Sequence, residues 1–192
     1  MKPSVTYTLL GVLTSVISFT SSCPARSLST EDTVIVRPAK STWAEDLAAR
    51  EVRRYIYLRT GRLFPIRTEL PAAPRANIIL VCTKGSALLA RIRGDTVGQT
   101  VNSLNPQSYV LKTLRGENEV VAAERPAPWP RMLVLAGGDD AGTLYASYRF
   151  AEKLGVRFYL DRDVIPDQQE SWVLPILDIQ ESPLYNLRGI QP

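Results

Sequence analysis

The chain has 192 residues, 45% of them hydrophobic and 22% charged, with a formal charge of +4, which suits one globular domain preceded by a leader. Histidine is absent and only two cysteines occur, so histidine-based triads, a disulfide scaffold and a thiolate or imidazole metal site are excluded. Carboxylates, Lys, Tyr, Ser or a bound cofactor are left to carry any chemistry, and no cofactor is expected.

Residues 1–25 read as an export leader. Lys2 precedes an apolar, hydroxyl-rich run from Val5 to Phe19 that is too short for a membrane span, and small residues follow it. Thr20-Ser21-Ser22-Cys23 resembles a lipoprotein box in which Cys23 would carry the lipid; cleavage after Ala25 is the alternative exit. Either way the expectation is an exported chain, periplasmic, extracellular or held at a membrane by lipid.

Residues 26–181 read as the folded unit. Thr33 to Arg37 is short and β-branched, a first strand. Thr42 and Glu45 form a capping-box pattern, and Ala44, Leu47, Ala48, Val52, Tyr55 and Ile56 recur at helical spacing up to Gly61. Arg50, Arg53, Arg54, Arg59 and Arg62 lie among Glu45, Asp46 and Glu51, as on a solvated helix face, so nucleic-acid binding is not expected. Leu63 to Arg67 fits a strand, 71–74 a loop, and Ile78 to Cys82 a buried strand with Cys82 as a small hydrophobe. A short helix fits Ser86 to Ile92, and Arg93 to Pro106 reads as a surface excursion.

Gln107–Thr113 and Glu119–Ala123 suggest a strand pair turning at 115–118. Three prolines between Arg125 and Pro130 predict a rigid loop, since proline donates no ladder hydrogen bond. Met132 to Ala136 returns to strand. Gly137-Gly138-Asp139-Asp140-Ala141-Gly142 opens a second helix, whose apolar face is read as Leu144, Tyr145, Tyr148, Ala151 and Leu154, with Gly155 as its stop. Val156 to Leu160 and Val173 to Ile179 are the last apolar stretches. Two long helices, far apart in sequence, and a majority of strands point to an α+β domain with both helices packed on one mixed sheet.

Three features carry candidate chemistry. The glycine-rich turn at 137–142 has a place suited to a phosphate cradle, but Asp139 and Asp140 put negative charge there and are better used as a helix cap. Asp161, Asp163, Asp167 and Glu170 form the densest carboxylate cluster, readable as a glycosidase acid pair, a calcium loop, or a solvated loop, which is preferred. Trp43 and Trp172 are read as core, whereas Trp129, on the proline-rich loop, is kept as a possible sugar contact.

Gly138-Asp139-Asp140-Ala141-Gly142-Thr143-Leu144-Tyr145, with Tyr148, Phe150 and Leu154-Gly155-Val156-Arg157-Phe158-Tyr159, resembles the non-catalytic N-terminal domain that precedes the barrel of exo-glycosidases. The families concerned are the family 67 α-glucuronidases and the family 20 β-N-acetylhexosaminidases. Thr60-Gly61, Phe64-Pro65-Ile66 and Asn77 to Val81 extend the resemblance over most of 33–192. It implies an α/β sandwich packed on a (β/α)8 barrel that holds the catalytic acids. Residues 182–192, Ser182-Pro183-Leu184-Tyr185-Asn186-Leu187-Arg188-Gly189-Ile190-Gln191-Pro192, resemble the joint at which that barrel begins, and Arg188 is the position that would inherit a sugar contact. The expectation is an accessory domain of a secreted glycoside hydrolase, without its barrel and inactive alone, with an apolar docking patch. The alternative is a stand-alone secreted module that binds carbohydrate or protein.

Overall fold

The computed structural model describes residues 32–71, 76–93, 97–115, 120–121, 125–126 and 131–185. The elements are β1 (Thr33–Val36), α1 (Trp43–Thr60), β2 (Ile66–Arg67), β3 (Asn77–Thr83), a 3₁₀ turn (Leu89–Arg91), β4 (Ile92–Arg93), α2 (Val97–Asn102) and β5 (Tyr109–Arg115), followed by β6 (Val120–Val121), β7 (Arg125–Pro126), β8 (Arg131–Gly137), α3 (Asp140–Lys153), β9 (Arg157–Phe158), β10 (Asp163–Val164) and β11 (Asp178–Glu181).

Six strands form the main sheet in the order β11-β5-β8-β3-β1-β2. From β8 to β2 neighbours run parallel; β5 is antiparallel to both β8 and β11. The apolar runs of β1, β3 and β8 are continuous because both sheet faces are covered. Period-2 alternation divides them. Ile35, Ile79, Val81, Leu133 and Leu135 face α1 and α3. Val34, Val36, Ile78, Leu80, Met132 and Val134 face the opposite way, under Leu88, Leu89, Val97, Val101 and Leu104. The expected mixed α+β sheet carrying two long helices is therefore what forms.

Helix α1 starts where its cap dictates. The Thr42 hydroxyl accepts the Glu45 N–H at 3.2 Å, and the Glu45 carboxylate accepts the Thr42 N–H at 2.8 Å. It ends at Gly61, whose φ of 68° closes the helix in the left-handed region.

Several expectations change. The 93–106 stretch is not merely a surface excursion: it contains α2, whose Val97 and Val101 are buried under the sheet. β5 does not pair with β6; it lies between β8 and β11, while β6 joins β4 and β7 in a separate three-stranded sheet. Pro126 is part of a two-residue strand rather than a loop, and 127–130 lie outside the described residues. The predicted strand at 63–67 shrinks to Ile66–Arg67, and that at 156–160 to Arg157–Phe158. Trp43 is 67% exposed, not core, whereas Trp172 is buried, donates to the Thr33 hydroxyl at 2.8 Å and packs on Phe64.

Candidate functional site

The glycine-rich turn after β8 owes its composition to space. A Cβ on Gly137 would stand 2.1 Å from the Thr143 amide nitrogen, and one on Gly142 would stand 2.4 Å from the Ser108 carbonyl oxygen. Both are backbone atoms, so the start of α3 can lie against β8 and the 105–108 turn only if these residues lack side chains. Asp139 has extended backbone and caps α3, its carboxylate accepting the Gly142 N–H at 2.7 Å. The Asp140 carboxylate accepts the Thr42 hydroxyl at 2.8 Å, which ties the starts of the two long helices together. The helix end is occupied by the protein's own carboxylate, as expected of a structural cap.

The buried face of α3 is made by Gly142, Thr143, Ala146, Ser147, Phe150 and Ala151. It is rotated from the expected one: Tyr145 is exposed. Small residues let α3 lie close to α1 and β8, against which it packs.

The carboxylates of 161–170 are drawn to separate partners. Asp161 pairs with the neighbouring Arg162 at the surface, at 2.9 Å. Asp163 accepts the Tyr55 hydroxyl at 2.6 Å. Glu170 meets the Arg59 guanidinium at 2.7 Å. Among the described residues, no group of three or more acidic or cysteine side chains is placed to hold a metal ion. Burial raises Tyr55 above the ordinary tyrosine range, and its bond to Asp163 adds to the shift.

Arg59 departs from the solvated-face expectation. Its side chain is 3% exposed. The guanidinium donates to the carbonyls of Leu154, Pro166 and Gln168 as well as to Glu170. It joins α1 to the end of α3 and to the 166–170 segment, so the cation serves architecture.

Two clefts remain. The first, of about 300 Å³, includes Tyr109, Tyr145, Tyr148, Arg149, Glu152 and Glu181. Its charges satisfy one another: Arg149 meets Glu152 at 2.8 Å and Glu181 at 2.7 Å, and Glu181 also accepts the Tyr109 hydroxyl. That hydroxyl, together with Arg149, holds Glu181 below the ordinary carboxylate range.

The second cleft, of about 660 Å³, opens beyond the carboxyl ends of β1, β2 and β3, between the residues that follow each strand: 38–42, Thr68 and 84–88. Its position follows from topology. The connection leaving β1 runs through α1 on one sheet face, whereas the one leaving β3 carries Leu88, Leu89, Val97 and Val101, which pack on the other. The connections diverge between β1 and β3, and that is where a crevice opens in an α/β sheet. Sequence reading missed this cleft because its residues span 38 to 91 and only strand order brings them together.

The three residues singled out for binding or modification, Cys23, Trp129 and Arg188, lie outside the described residues. Among the described residues, no helix is long and apolar enough to cross a membrane.

No family model matches the chain, and no curated protein matches it. Among solved structures, the chain is similar to part of BtGH115A, a family GH115 4-O-methyl-α-glucuronidase described as having specificity for decorated arabinogalactans. The TM-score is 0.54 at 21% identity, covering 81% of this chain. The likeness shows the fold, and the chain spans only 18% of that enzyme's length. The fold is thus one found within a glycoside hydrolase, in a family other than the two named from the sequence.

Proposed function

We propose that this chain is a non-catalytic accessory domain of an exported glycoside hydrolase, working beside a catalytic barrel that carries the reacting acids. The observation that carries the reading is the fold likeness to a minor part, 18%, of a large glycosidase. The sequence resemblance to the domain preceding exo-glycosidase barrels points the same way, whether the parent is of the family 67 or the family 20 type.

The carboxylates support it. Hydrolysis by a retaining enzyme needs two carboxyl groups about 5–5.5 Å apart flanking a sugar, and an inverting one needs roughly 6.5–9.5 Å. Asp163 and Glu170 are instead engaged by Tyr55 and Arg59, in contacts that hold the fold. Exposed apolar side chains support a docked neighbour. Tyr159, Leu160 and Val164 stand out from the β9–β10 hairpin, and Leu184, 94% exposed, and Tyr185 follow β11. In this reading 182–192 lead into the barrel, Arg188 reaches its sugar site, and the 1–25 leader directs export, with Cys23 as the lipid-bearing residue if the lipoprotein box is used.

The purified chain, assayed against aryl glucuronides and aryl N-acetylhexosaminides, is expected to turn over neither. Turnover abolished by Asp163→Asn or Asp161→Asn would overturn the non-catalytic reading.

A further inference from the structure

The cleft beyond β1, β2 and β3 has a charge balance of its own. Lys40, Lys84 and Arg91 line it, and Glu45 is its one acidic residue. Glu45 is 4% exposed, and both its oxygens are already used: one accepts the Thr42 N–H and the other the Thr83 N–H, each at 2.8 Å. Lys84 donates to the Leu104 carbonyl at 3.0 Å, a contact that leaves its charge uncompensated. Among the described residues, neither Lys40 nor Arg91 has an ion-pair partner. Unpaired cations occur elsewhere among the described residues too, Arg53 and Arg67 among them; what marks this cleft is that three cations line one cavity.

The walls are apolar where the rim is charged. Pro38, Ala87 and Leu88 supply carbon surface, and Thr42, Thr68 and Ser86 supply hydroxyls. A volume of about 660 Å³ falls within the range that holds small molecules. The α1 N-terminus is not available to an anion, because its cap already fills it. Side-chain cations would do the holding.

We propose that this crevice binds a small organic anion, its carboxylate or phosphate met by Lys40, Lys84 and Arg91 and its carbon body laid against Pro38, Ala87 and Leu88. The inference stands on topology, cavity and charge, and is independent of the accessory-domain reading: the chain can bind such a ligand whether or not a barrel accompanies it.

The test is an NMR titration of the full ¹⁵N-labelled chain with phenyl phosphate, phenylacetate and uncharged benzyl alcohol. Saturable shifts of the Ala39, Lys40, Gly85 and Ser86 amides are expected with at least one anion and not with benzyl alcohol; which anion binds tells a phosphate from a carboxylate ligand. The double substitution Lys40→Gln/Arg91→Gln, at exposed positions, should weaken binding about tenfold while leaving the rest of the spectrum unchanged. Lys84→Gln is a second variant, scored only if its spectrum remains that of the folded chain. No saturable shift with either anion, equal shifts with benzyl alcohol, or unchanged affinity in the double variant would overturn the proposal.

Discussion

Arg59 is the side chain on which α1, the end of α3 and the 166–170 segment converge, through three carbonyls and one carboxylate. Truncating it removes four hydrogen bonds and the packing of a side chain that is 3% exposed, so Arg59→Ala should destabilise by about 3 kcal/mol, read as a lower urea midpoint at unchanged slope. Nothing local in the sequence marked it off from Arg50 or Arg54, because its acceptors lie some hundred residues away. Tyr55 and Cys82, with Tyr109 and Tyr148, weigh against folding at alkaline pH. Burial raises all four above their ordinary values, with the Asp163 bond adding to the shift of Tyr55. A group raised in the folded state contributes stability that is complete below its unfolded value and lost as pH climbs toward the folded one. Stability should therefore fall from about pH 8.5 upward as unfolded thiol, then unfolded phenol, lose protons that the folded chain retains. Tyr55→Phe should reduce that loss above about pH 10, which urea midpoints measured across pH will show.

At the scale of elements, the start of α3 separates two roles that one motif carries. Asp139 is a cap, so Asp139→Ala should cost about 1 kcal/mol. Gly142 is a point of contact, where a methyl group would meet the Ser108 carbonyl. Gly142→Ala should therefore cost more, on the order of 3 kcal/mol, through displacement of α3 from the 105–108 turn. Thermal unfolding of the two variants, side by side, gives the ranking. Helix α1 was legible from Thr42 to Gly61 because its cap, its apolar periodicity and its stop are all local. The partners of β5 were not. A strand followed by a turn and a second strand suggests a hairpin, but β5 completes the main sheet between β8 and β11 instead. Leu111 and Leu114 are buried there, on opposite faces of that sheet. Likewise α2 was hidden, since two buried valines in six residues show no measurable period.

For the molecule as a whole, composition and element order were enough for the α+β class, whereas the crevice needed strand order and the candidate acids needed their distant partners. Exposed apolar residues on the β9–β10 hairpin and after β11 give the isolated chain surface that a neighbour would cover. Sedimentation should show concentration-dependent self-association, reduced by Leu160→Ser, at a position 87% exposed. The central claim is that this fold serves a catalytic barrel encoded with it. The most direct measurement is the DNA sequence of the locus beyond the Pro192 codon. The account expects a continuation, in frame or displaced by a frameshift, encoding a (β/α)8 barrel with paired carboxylates at its strand ends. A genuine stop followed by unrelated sequence would contradict it.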